Sequence, residues 1–155
     1  YYNSAYLLQD TTESLWYHRQ QGFSSSPFSA YLEFWGVMQA VIIQQDAISE
    51  MHQVIVGSPL DARASNLTAW LEIRELRNLC SGHPAKKNRP KNKPIARSFM
   101  GRRFGGYEQI AYELWEQGAG TSYPKVRLGA LLDRYAQEAA QQLSIILNSM
   151  KARWP

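Results

Sequence analysis

From Phe28 to Val56 the apolar residues Leu32, Trp35, Met38, Ile42, Ile48, Met51 and Ile55 return every three or four positions, with a single gap at Gln45. That period is the stripe of one long amphipathic helix, and Pro27 stands where a helix tolerates proline, at its start. A helix this long must have its stripe covered, and the rest of the chain supplies candidates. Tyr2 to Gln20 places Ala5, Leu8, Thr12, Leu15 and Trp16 on one helical face and is ended by Gly22 and the serines after it. A third helix from about Asp61 carries Ala69, Ile73, Leu76 and Cys80, and a last one from Val126 carries Leu128, Leu132, Tyr135, Ala139, Leu143, Ile146, Met150 and Trp154. The pattern predicts an all-α fold, an antiparallel bundle of four to five helices.

One domain over residues 1–155 suits this length, and neither an internal repeat nor a linker interrupts it. Five Trp, nine Tyr and five Phe provide large apolar area for a core. The lone Cys80 rules out an internal disulfide, reads as a small core residue and suits a reducing, cytoplasmic setting. No run approaches the ~18 apolar residues of a membrane span, so no membrane partner is expected. Tyr1 to Asp10 lacks a signal peptide's apolar run, and a start on Tyr rather than Met leaves room for an upstream segment.

The formal charge of +4 is unevenly spread. Lys86, Lys87, Arg89, Lys91, Lys93, Arg97, Arg102 and Arg103 fall between His83 and Arg103 with no acid among them, leaving nine cations against thirteen acids elsewhere. A basic segment on a mildly acidic body is the footprint of a polyanion site, and a solvated loop is the plainer reading of the same run. Lys86 to Pro94 is polar with two prolines and reads as a loop. Arg97 to Phe104 and Tyr107 to Trp115, separated by Gly105 and Gly106, have the spacing of a small β-hairpin inserted before the last helix.

Chemistry concentrates where the third helix ends. Arg77 lies four residues after Ile73 and three before Cys80, which predicts a guanidinium on the buried stripe. A cation there needs a partner, a polar cavity or a functional anion; the plain alternative is a core ion pair with Asp46 or Glu75. Gly82 can end the helix in a left-handed conformation and Pro84 extends the backbone at His83, so the imidazole can fold back toward Arg77. An exposed helix-end histidine is the alternative, and His18 and His52 take that ordinary reading.

Arg77-Asn78-Leu79-Cys80-Ser81-Gly82-His83 resembles the signature of the HEPN domains, all-helical ribonucleases and their inactive relatives, in which four to six residues separate an arginine from a histidine. The resemblance extends to a motif closing an amphipathic helix, a basic loop after it, and Gln44-Gln45-Asp46 on or beside the stripe of the long helix. It implies a metal-independent endoribonuclease with Arg77 and His83 as catalytic residues and Asn78 orienting one of them. Arg74, Lys86, Lys87, Arg89 and Lys91 would contact RNA, while Gln45 or Asp46 would hold Arg77 in place. It further implies a homodimer with a composite site, a toxin or phage-defence setting and a regulatory or antitoxin partner. Where nucleotidyltransferase-controlled members of that family carry a tyrosine two residues after the histidine, this chain has Ala85, so control through that tyrosine is not expected.

The implied roles agree with elementary chemistry. An imidazole exchanges protons near neutrality, and an arginine fork stays charged and pairs with phosphate oxygens in two places. Scattered histidines and one cysteine give no metal-ligand spacing, no phosphate loop follows a strand, and Ser81 has no nucleophile elbow. No cofactor is therefore expected. The alternative function is a non-catalytic module binding nucleic acid or nucleotide, or dimerising, followed by a purely structural bundle.

Overall fold

The computed structural model describes residues 2–82, 96–101 and 105–154. Four helices dominate it: α1 (Tyr2–Gln21), α2 (Pro27–Val56), α3 (Thr68–Arg77), which runs on into a wider π-helical turn (Asn78–Gly82), and α4 (Leu128–Arg153). Between α3 and α4 lie short strands: β1 (Ala96–Phe99), β2 (Ile110–Ala111), β3 (Glu113–Glu116), β4 (Gly120–Ser122) and β5 (Lys125–Val126). The fold is mostly helical with a small antiparallel sheet, and no helix among the described residues is long and apolar enough to cross a membrane.

α2 is the axis of the molecule, with α1, α3 and α4 all packed against it. It buries Phe34, Met38, Val41 and Ile48 against Leu128, Leu131, Tyr135 and Ile146 of α4 and Ala69, Trp70, Ile73 and Leu76 of α3. The expected stripe is buried from Met38 through Ile42, Ile48 and Met51 to Ile55 and departs from expectation at its first turns. Leu32 and Trp35 sit on the outer side, 67% and 43% exposed, and Val37 and Val41 take their place. α1 packs through Leu8, Thr11 and Leu15, while Trp16, expected inward, is 66% exposed. An adjacent pair of buried amides ties the helices together on two sides. Gln44 receives the Tyr135 hydroxyl (2.8 Å) and donates to Thr12 Oγ1 (2.8 Å), joining α4, α2 and α1. Gln45, fully buried, faces α3.

The third helix begins at Thr68 rather than near Asp61, and the reason is local. The Asp61 carboxylate accepts from the Arg63 and Ala64 amides (2.9 and 3.1 Å), which lowers its pKa and winds a separate turn. Asn66 then adopts φ 54°, a left-handed conformation that no helix continues through. A carboxylate from α4 starts α3 afresh: Glu138 accepts from the Ala69 and Trp70 amides at 2.9 and 2.8 Å.

The expected hairpin is replaced by a three-stranded sheet in the order β1-β3-β4 with a two-stranded β2-β5 pair beside it. β1 does pair with β3, Ala96 opposite Glu116 and Phe99 opposite Glu113, but residues 100–112 lie between them. Gly105 and Gly106 serve a turn of their own, in which Gly106 N donates to Gln109 O (3.0 Å). Gly105 has φ 107°, and a Cβ there would stand 2.0 Å from that carbonyl oxygen, so only glycine fits. The tight hairpin is β3–β4, turned at Gly118 with φ 87°.

Candidate functional site, a polar seam between α2 and α3

α2 and α3 meet along a row of polar side chains set in an otherwise apolar contact. Gln45 Nε2 donates to Trp70 O (3.2 Å) and its Oε1 accepts from Arg74 Nε (2.7 Å); Arg74 also donates to the Asp46 carboxylate. One turn further along α3, Arg77 donates to Gln39 Oε1 (3.0 Å) and to Asn78 Oδ1 (3.3 Å). The two guanidiniums therefore both reach the same edge of α2, about two turns apart. Their electrostatic situations differ. Asp46 matches the charge of Arg74, whereas the hydrogen-bond partners of Arg77 among the described residues are neutral amides.

This seam corrects the expected partners of Arg77. Gln45 and Asp46 hold Arg74, not Arg77, because Arg74 projects over Gln45 and Asp46 while Arg77, one turn on, projects over Gln39 nearer the start of α2. Nor does Arg77 share the burial of Ile73 and Cys80; it is half-buried at the margin of their stripe. Gln39 is the partner that sequence reasoning missed. The available signal was its position seven residues before Asp46, two turns along the same edge of α2.

Arg77 and Asn78 are neighbours at the junction where the α-helix widens. π-helical turns break the regular ladder of amide bonds and leave carbonyls to be satisfied otherwise. Here Ser98 of β1 donates its hydroxyl to Leu79 O, which fastens the sheet to the turn. Cys80 is buried, and burial pushes its thiol up to about 11, so it is a packed thiol rather than a nucleophile. The expectations for His83, Lys86, Lys87, Arg89 and Lys91 lie outside the described residues.

The two remaining histidines are less ordinary than expected. His52 is 8% exposed and its Nδ1 lies 2.8 Å from Ser58 O. His18 sits in a second polar group: its Nδ1 is 2.6 Å from the Tyr107 hydroxyl and its Nε2 is 3.7 Å from Glu33, whose carboxylate accepts from Ser24 N at 2.7 Å. Arg19 stacks 4.7 Å above the Tyr107 ring and pairs with Asp133 at 3.3 Å. Burial pushes the Tyr107 phenol up to about 12, so it remains protonated at neutral pH. The group borders a cleft of about 210 Å³ between α1 and α4, walled by Leu15, Trp16 and Leu132. Its titratable groups are engaged with one another, and it carries no second unmatched guanidinium.

What the α2–α3 seam can do follows from its donors. Among the described residues the two amides use two of the five N–H donors that a guanidinium carries, a planar fork able to pair with the oxygens of an anion. No family model, curated protein or solved structure compared with this chain matches it.

Proposed function

We propose that the protein is a metal-independent endoribonuclease whose phosphate-stabilising cation is Arg77 and whose proton carrier is His83. The observation that supports this reading best is the setting of Arg77, whose hydrogen-bond partners among the described residues are the neutral amides of Gln39 and Asn78 rather than a carboxylate. The 2′-oxygen of RNA attacks the adjacent phosphorus as it loses its proton, and the 5′-oxygen leaves as it gains one. The products are a 2′,3′-cyclic phosphate and a 5′-hydroxyl. His83 exchanges those protons near neutral pH, and Arg77 faces the charge gathering on the phosphoryl oxygens.

Arg74, Lys86, Lys87, Arg89 and Lys91 supply phosphate contacts along the strand, Arg74 more weakly because Asp46 already engages it. Both an acid and a base are needed, and a homodimer that joins two Arg77–His83 pairs provides them. A ribonuclease of this kind suits a toxin or phage-defence role in the cytoplasm, restrained by a protein partner.

The deciding experiment incubates the protein with mixed RNA and with DNA in excess chelator, beside Arg77→Ala and His83→Ala chains. RNA is cut and DNA is not, each variant loses about 100-fold or more in rate, and solution mass by light scattering reports a dimer. Cutting of DNA, complete loss of activity on metal removal, or undiminished activity in both variants would overturn the assignment.

A further inference from the structure

The three-stranded sheet presents two unlike faces. Side chains alternate across a strand, so Ala96, Ser98, Leu114 and Glu116 point one way, with Leu114 against the core and Ser98 bonded to Leu79 O. Arg97, Phe99, Glu113, Trp115 and, from β4, Thr121 point the other way. Phe99 is 65% exposed and Trp115 41% exposed, and no packing requirement of the core explains two large rings on a solvent face. Arg97 stands directly opposite Trp115, and Phe99 lies diagonally across from the same ring.

We propose that this outward face is a stacking platform for unpaired bases of single-stranded RNA, a reading that rests on the RNA function argued above. Stacking on an aromatic ring tolerates any base, because every base has a π-face, and a nearby arginine adds attraction for ring and backbone alike. Charge complementarity selects RNA over an apolar partner. β1 lies within the stretch of eight cations and no acid, with Lys91 and Lys93 before it in sequence and Arg102 and Arg103 after it. Glu113 is the single acid on the face, half-buried opposite Phe99. The hydroxyl of Ser98 fixes the sheet to the turn that follows Arg77. A strand stacked on the platform is thus held on the element that adjoins the seam.

Single-stranded RNA with 2′-O-methyl groups throughout separates binding from cutting, since its 2′-oxygen cannot attack. Binding of this probe is compared with the same sequence as a duplex, for wild type, Phe99→Ala, Trp115→Ala and Trp115→Phe. Loss of each ring weakens single-strand binding about tenfold, Trp115→Phe recovers most of it, and duplex binding stays unchanged. Single-strand binding that is the same in all four chains overturns the platform, even if the wild type cuts RNA. Ring-dependent binding by a chain that cuts nothing would keep the platform and reject the nuclease. A Trp115→Ala chain that turns from dimer to monomer with RNA binding intact would assign the face to contact between copies and overturn the proposal. Wild type that binds no RNA would reject both.

Discussion

Gln45 is the only polar residue in the stripe expected for α2, and its two ends meet different needs: a backbone carbonyl at Trp70 and the guanidinium of Arg74. Removing a fully buried amide opens a cavity and takes one partner each from the Trp70 carbonyl and Arg74, so Gln45→Ala should cost about 2–4 kcal/mol, whereas Asp46→Ala, whose carboxylate is 61% exposed, should cost under about 1 kcal/mol. Urea midpoints of the two variants check this, and equal losses would deny Gln45 its role. The gap at Gln45 was legible in the sequence, as was the need of an arginine on the third helix for a polar partner. Which arginine Gln45 holds was not. Positions 74 and 77 lie about 60° apart around a helix, since three residues turn about 300°, and the choice between them depends on how α3 slides along α2. That register is set by packing of Trp70, Ile73 and Leu76, which a one-dimensional pattern does not contain.

At the scale of elements, long periodic segments were readable and their junctions were not. α2 and α4 carry enough turns to declare a helix from spacing alone. α3 has ten residues, too few to stand alone in water, and it starts where Glu138 of α4 receives its first amides. No local capping residue announces that start, because the cap comes from another helix. The same dependence predicts that Glu138→Gln, which keeps the shape and removes the charge, loosens α3 selectively. Hydrogen exchange should speed up at Ala69 and Trp70 with a stability loss of about 0.5–2 kcal/mol, while α2 amides such as that of Ile48 keep their protection relative to the global transition. Uniform acceleration across α2 and α3, tracking global unfolding alone, would refute a local brace. The strands were legible as pairing segments, but a glycine pair fits either a two-residue hairpin or the Gly105 turn, and side-chain pattern does not choose between them.

Across the whole molecule, the burial of weakly acidic thiol and phenol groups predicts a fold that loses stability toward high pH. Burial raises Cys80 from 9.0 to about 11 and Tyr107 from 10.0 to about 12, and it raises Tyr135 as well. In the unfolded chain these groups ionise first, so it binds fewer protons than the native state above about pH 9 and stability falls as pH rises. Urea midpoints should hold from pH 7 to 8.5 and decline through pH 10.5, and Tyr107→Phe should flatten the part of the decline above pH 10. A midpoint that is constant to pH 10.5 would contradict the burial of these groups. The brace from Glu138 has a further consequence during protein synthesis. The Ala69 and Trp70 amides wait for a carboxylate made 69 and 68 residues later, a delay of about 3–14 seconds at ribosomal speed. Until α4 has emerged and docked, the Ala69 and Trp70 amides lack the Glu138 carboxylate. The α3 start is therefore completed by synthesis of α4 and not when α3 itself is made.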